Sequence, residues 1–104
     1  MYPIGYNIPV RVEMTEVYRE WINGLTDFAC RARIQVRVER LAHGNPGQDR
    51  VLTDGVRELK VDVGPGYRVY YTERRGVLIV LLAGGDKSSQ AKDIKSAIML
   101  AKSL

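Results

Sequence analysis

Glu58, Lys60, Arg68 and Tyr70 fall in two neighbouring stretches of alternating apolar and polar residues. If these stretches pair as a hairpin, alternation puts all four on one face, with Lys60 and Arg68 close across the pair. A carboxylate, two cations and a phenol are groups that metal-independent cleavage of an RNA backbone can use. That reaction must take a proton from the 2′-hydroxyl, stabilise charge at a pentavalent phosphate and return a proton to the departing oxygen. Arg suits the second task best, because its planar fork stays charged and matches phosphate geometry. Lys87 follows two glycines and precedes a helical pattern, a setting suited to an anion. Tyr67 or Tyr70 could stack on a base or pass a proton.

The same residues have plainer readings. Glu58, Lys60 and Arg68 also suit a cross-strand ion network on a solvated sheet, worth less than about 1 kcal/mol per exposed pair. Tyr67 and Tyr71 suit packing. Arg33, Arg37 and Arg40 read first as the solvated side of a helix and second as a contact for RNA or a partner. His43 is the single histidine. It has no Cys or His neighbour for a metal site and suits a contact with a helix C-terminus. Cys30 lies on an apolar stripe and reads as a small core residue. No metal or cofactor is expected.

The elements that would position these groups follow from periodicity. Residues Met1 to Pro9 hold Pro3, Gly5 and Pro9 without a period and read as a loose lead-in. Val10 to Met14 alternates and predicts a short strand. Thr15 can cap a helix carrying Val17, Trp21 and Leu25 on one side and ending near Asn23 and Gly24. Asp27 can cap a longer helix whose stripe is Cys30, Ile34, Val38 and Leu41, stopped by Gly44, Asn45, Pro46 and Gly47. These two helices are expected to form a hairpin. Val56 to Val63 and Tyr67 to Thr72 are expected to pair across Gly64, Pro65 and Gly66, with one wet face bearing Glu58, Lys60, Arg68 and Tyr70. Val77 to Ala83 is apolar throughout, so it is expected to be the central strand, covered on both faces. Ser88 or Ser89 can cap a last helix that buries Ile94, Ala97, Ile98 and Ala101. The fold class is therefore α+β, in one domain spanning residues 1–104.

Composition narrows the partners. Apolar residues at 45% and charged residues at 27% suit a globular chain. The longest apolar run, Val77 to Ala83, is far shorter than the roughly 18 residues that would span a bilayer. Without a secretory pattern and with a lone Cys30, the expected setting is the cytoplasm. A formal charge of +4 favours a polyanion or an acidic protein over a neutral surface.

The segments Glu58-Leu59-Lys60-Val61-Asp62, Gly64-Pro65-Gly66-Tyr67-Arg68-Val69-Tyr70-Tyr71 and Leu82-Ala83-Gly84-Gly85-Asp86-Lys87-Ser88-Ser89-Gln90 resemble the RelE/ParE toxins. Within that superfamily they look like the addiction module killer protein branch, similar to the HigB and phage Gp49-like toxins. The resemblance implies a microbial ribonuclease-like antiparallel sheet with an N-terminal helical hairpin and a C-terminal helix. It also implies a type II toxin that cleaves mRNA on the translating ribosome, and a helix-turn-helix antitoxin through which alone the toxin meets operator DNA. By the same resemblance, Arg68 would contact the scissile phosphate, with Lys60 and Lys87 as further basic groups. Glu58 stands where RelE members carry a second lysine, and Asp93 or Ile94 stands near the place of a C-terminal tyrosine. Either Lys60 or Glu58 would then take the 2′-proton. Two other readings stay open: a ParE-like poison of DNA gyrase that cleaves nothing, and a degenerate member that only binds.

Overall fold

The computed structural model describes residues 10–104; the lead-in read for residues 1–9 lies outside the described residues. In chain order the elements are β1 (Arg11–Met14), α1 (Glu16–Gly24), α2 (Phe28–Ala42), β2 (Asp49–Val51), β3 (Val56–Val61), β4 (Tyr67–Arg74), β5 (Leu78–Asp86), a 3-10 turn (Lys87–Ser89) and α3 (Gln90–Lys102). The strands form one sheet in the order β1-β5-β4-β3-β2. Neighbours from β2 to β5 run antiparallel, whereas β1 lies parallel to β5. The α+β class is as expected, but the sheet is mixed. Alternation marks a strand without giving the direction of a partner so far along the chain, and β2 has too few residues to show alternation at all.

On one face, α1 and α2 cover β3, β4 and β5. Thr15 caps α1 by accepting from the Tyr18 N–H at 3.1 Å, and its hydroxyl donates to the Leu82 carbonyl at 2.6 Å, which fastens the helix start to β5. The buried pair on α1 is Tyr18 and Ile22, and Val17 is left 44% exposed. The expected stripe of Val17, Trp21 and Leu25 is thus rotated by about one residue, or 100°. Tyr18 offers a larger apolar body than Val17 at the same i, i+4 spacing. Asp27 caps α2 through the Cys30 N–H, and Cys30, Ile34 and Leu41 are buried as the spacing predicts, with Val38 partly so. They meet Leu59, Val61, Val69, Tyr71, Ile79 and Leu81 in one core.

On the other face, α3 brings Ala97 and Ala101 against Val56, Tyr70, Val80, Leu82 and Ala83. This corrects the expected wet face of the hairpin: Tyr70, Thr72, Glu58 and Arg68 are all buried. The small residues of α3 let that helix lie close over the strands. β5 is covered on both faces, as its apolar run predicts, but the central place belongs to β4, because β1 adds to the outer edge of β5.

Two turns set the strand pairs. Gly64 and Gly66 take positive φ between β3 and β4; Arg75 and Gly76 take φ of 57° and 67° between β4 and β5, the pair of positive values that a type I′ hairpin requires. A bulge between Tyr70 and Tyr71 makes Leu82 an extra residue on β5. Beyond it, Gly84 and Gly85 point to opposite faces. A Cβ on Gly84 would overlap the Trp21 ring, and one on Gly85 would overlap the Asp93 carboxylate.

Candidate active site

Strand register assembles the site. Arg50 of β2 lies opposite Glu58 of β3, and Glu58 lies opposite Tyr70 of β4. In the next row, Lys60 lies opposite Arg68, and Arg68 opposite Gly85 of β5. The first residue of α3, Gln90, reaches down to the same place. Together Gln48, Asp49, Arg50, Glu58, Lys60, Arg68 and Gln90 line an open cavity of about 340 Å3. Gly85 carries no side chain here, so Ser89 and Asp93, hydrogen-bonded to each other, can sit against the strand.

Glu58 is the hub. Its Oε1 accepts from Arg50 Nε at 2.8 Å, and its Oε2 accepts from Gln90 Nε2 at 3.0 Å and from the Arg50 terminal nitrogen at 3.4 Å. Burial by itself pushes this carboxyl up. The Arg50 and Gln90 hydrogen bonds and the charges of Arg50 and Arg68 outweigh burial, leaving the group below its ordinary value of 4.5. Arg50 in turn depends on β2 being held in place. Asp49, on the opposite face of that strand, accepts from the Tyr71 hydroxyl at 2.7 Å and from Arg57 Nε at 3.1 Å.

Arg68 is 7% exposed, and one terminal nitrogen donates to the Gly66 carbonyl at 2.9 Å. Its Nε has no hydrogen-bond partner, and no ion pair among the described residues includes it. A buried cation with an unsatisfied donor and no ion pair in contact is costly to hold, so this position favours an incoming anion. Behind it, the Tyr70 hydroxyl is also buried without a partner, and burial together with the nearby Glu58 and Asp93 charges raises its pKa strongly.

Of the residues singled out in the sequence, the structure brings Lys60, Arg68 and Glu58 together. Lys87 is exposed at the start of the 3-10 turn and does not line the cavity; Arg50 is the third cation there. Tyr70 lies beneath α3. Tyr67 faces the other side of the sheet, 6.1 Å from Trp21 between ring centres. Both rings are buried, so neither offers a face for a base to stack on, which corrects that expectation. Arg37 donates to the Lys60 carbonyl at 2.9 Å and to the Pro46 carbonyl at 2.8 Å, tying α2 to β3 instead of facing solvent. Arg33 and Arg40 are exposed on α2, which packs on the sheet face away from Glu58 and Arg68. His43 ends α2, with its Nδ1 2.9 Å from the Glu39 carbonyl.

Sequence reasoning missed Arg50, Gln48 and Gln90. The first two belong to a segment too short for periodicity. Gln90 had a legible signal, since it directly follows Ser89, one of the two expected caps.

No family model matches the chain. Over 95 residues it is 43% identical to a protein of Haemophilus influenzae strain Rd described as "Uncharacterized protein", an alignment covering 91% of this chain and 96% of that one. The two belong to one family. The fold is that of a mutant of the E. coli toxin RelE solved in the free state, with a TM-score of 0.63 over 85% of this chain and 97% of that one, at 15% identity. The RelE-like fold accounts for the mixed sheet, the two helices before the β3–β4 hairpin and the C-terminal helix.

The depressed Glu58 carboxyl has a consequence for stability. A group whose pKa falls on folding stabilises the folded state above its unfolded value, and that contribution fades as pH drops through the folded value. In urea titrations from about pH 7 to about pH 3, the stability advantage of the wild type over Glu58→Gln is therefore expected to shrink once pH passes below the ordinary carboxylate range. An advantage that stayed constant to the acid end would mean that Glu58 titrates alike in both states. Asp27 and Asp86 are also depressed, and the hydrogen bonds from Cys30 and Ser88 that cause this survive in both proteins, so they cancel in the difference.

Proposed function

We propose that this chain is the toxin of a type II toxin-antitoxin pair, a metal-independent endoribonuclease that cleaves mRNA on the translating ribosome in the cytoplasm. Within the RelE/ParE superfamily we place it in the HigB and phage Gp49-like branch. Its partner would be a helix-turn-helix antitoxin, through which alone it meets operator DNA. One observation carries the reading: a buried Arg68 guanidinium whose Nε has no acceptor shares a cavity with the Glu58 carboxylate and Lys60. An acceptor of phosphate charge and an acceptor of a proton thus stand together.

In this mechanism Arg68 and Arg50 bind the scissile phosphate and stabilise its developing charge. Glu58 takes the 2′-proton, the 2′-oxygen bonds to phosphorus, and the bond from phosphorus to the 5′-oxygen breaks. The Lys60 ammonium gives its proton to the leaving 5′-oxygen, so the products are a 2′,3′-cyclic phosphate and a 5′-hydroxyl. Lys87, Arg33 and Arg40, which are exposed, are left to contact the RNA chain or the ribosome farther from the reacting bond.

The test is induction of the chain without its antitoxin, followed by primer extension on cellular mRNA and a gyrase supercoiling assay. Cut transcripts with normal supercoiling are the expected result. Intact transcripts with inhibited gyrase would reverse the reading in favour of a ParE-like poison, and unimpaired growth would leave a binding-only protein.

A further inference from the structure

The Arg50–Glu58 pair joins a fixed group to a free one. The Glu58 side chain is 5% exposed and the Arg50 side chain 57% exposed. Arg50 springs from a three-residue edge strand and lines the cavity that Arg68 and Lys60 also line. Glu58 cannot leave its place between β2 and β4, so any exchange of partners must come from Arg50. A phosphate in the cavity would offer the guanidinium fork oxygens that it fits as well as it fits a carboxylate. Arg68 Nε, without an acceptor, would help bring the phosphate there.

We propose that Arg50 is a clamp released by substrate: in the free protein it occupies both oxygens of Glu58, and on entry of a backbone phosphate it moves to that phosphate, leaving Glu58 held by Gln90 and free to accept a proton. This rests on reading the cavity as an RNA-cleavage site. It gives Arg50 two duties in succession, positioning the base and then binding the phosphate. A carboxylate that already accepts from two side chains is a poor proton acceptor. The groups facing Glu58 are Arg50 from β2, Lys60 from β3, Arg68 and Tyr70 from β4, and Gln90 from α3. Once Arg50 leaves, burial and the phosphate charge both favour the protonated form against Lys60 and Arg68. The base therefore strengthens only when there is something to deprotonate.

The test uses the full chain labelled for NMR at Arg Nε–H and at the Glu carboxyl carbons. The probe is a short oligoribonucleotide carrying 2′-O-methyl groups, which binds but cannot be cleaved. Signals are assigned with Arg50→Lys, Arg68→Lys and Glu58→Gln. On adding probe, the Nε–H signals of both Arg50 and Arg68 are expected to shift, and the Glu58 titration midpoint to rise by about one unit. Arg50→Ala is expected to raise that midpoint in the free protein already and to weaken probe binding about tenfold. A probe that shifts Arg68 but leaves the Arg50 signal unmoved, with Arg50→Ala binding as tightly as wild type, would overturn the clamp while sparing the RNA reading. A probe that shifts neither arginine would overturn both.

Discussion

Arg68→Ala is expected to lower the single-turnover rate of RNA cleavage by about 10²–10³-fold, the loss typical when one preorganised donor to a transition-state charge is removed. The same substitution is expected to leave the urea midpoint unchanged or raised. The guanidinium is 7% exposed, its Nε is unpartnered and its one protein hydrogen bond is to the Gly66 carbonyl. Deleting it removes a buried charge that has no ion pair in contact, and the lost attraction to the nearby Glu58 and Asp86 carboxylates offsets that relief only in part. Opposite signs on activity and stability are the signature of a residue retained for a ligand. Arg68→Lys should recover only part of the rate, because an ammonium lacks the fork that spans two phosphate oxygens. Full cleavage by Arg68→Ala would remove the central element of the site, and a large fall in stability would show that Arg68 serves the fold.

Ile34→Ala is expected to cost about 2–5 kcal/mol of folding stability, measured by urea or thermal unfolding, as usual for emptying a fully enclosed aliphatic site. Ile34 is fully buried in the middle of α2, against a sheet face that also buries Leu59 and Val69 completely. In a chain of this size the change should lower the thermal midpoint by on the order of ten degrees or more. The cavity that holds Glu58 and Arg68 lies across the sheet, so cleavage per folded molecule should stay near wild type at low temperature. A loss below about 1 kcal/mol would mean that α2 is only loosely seated.

Much of this arrangement is legible in the sequence, for identifiable reasons. Alternation through β3 and β4, together with a turn rich in glycine, is enough to set Lys60 opposite Arg68 and Glu58 opposite Tyr70. Side-chain caps at Thr15 and Asp27 fix two helix starts to the residue. What alternation cannot reveal is whether the polar face is wet. Glu58 and Arg68 look like surface residues by type, and it is tertiary contact, such as Arg50 from β2 and Gln90 from α3 closing over Glu58, that makes them buried ones. Arg50 was hidden for another reason. Its strand exists through Asp49 gripping Tyr71 and Arg57, a tertiary contact that leaves no local pattern. Lys87, chosen for its place after two glycines, shows the converse: proximity in sequence to a helix start did not bring it into the cavity.

The strands shorten toward the rims of the sheet, from eight and nine residues in β4 and β5 to four in β1 and three in β2. A short margin exposes few unpaired amide and carbonyl groups, which is how folded proteins discourage stray chains from extending their sheets. Crowding of many copies should therefore seed little fibrous aggregation by edge addition. Among the described residues the outermost strands offer only four and three residues of backbone for another macromolecule to pair with, so helices and side chains provide most of the surface it could grip.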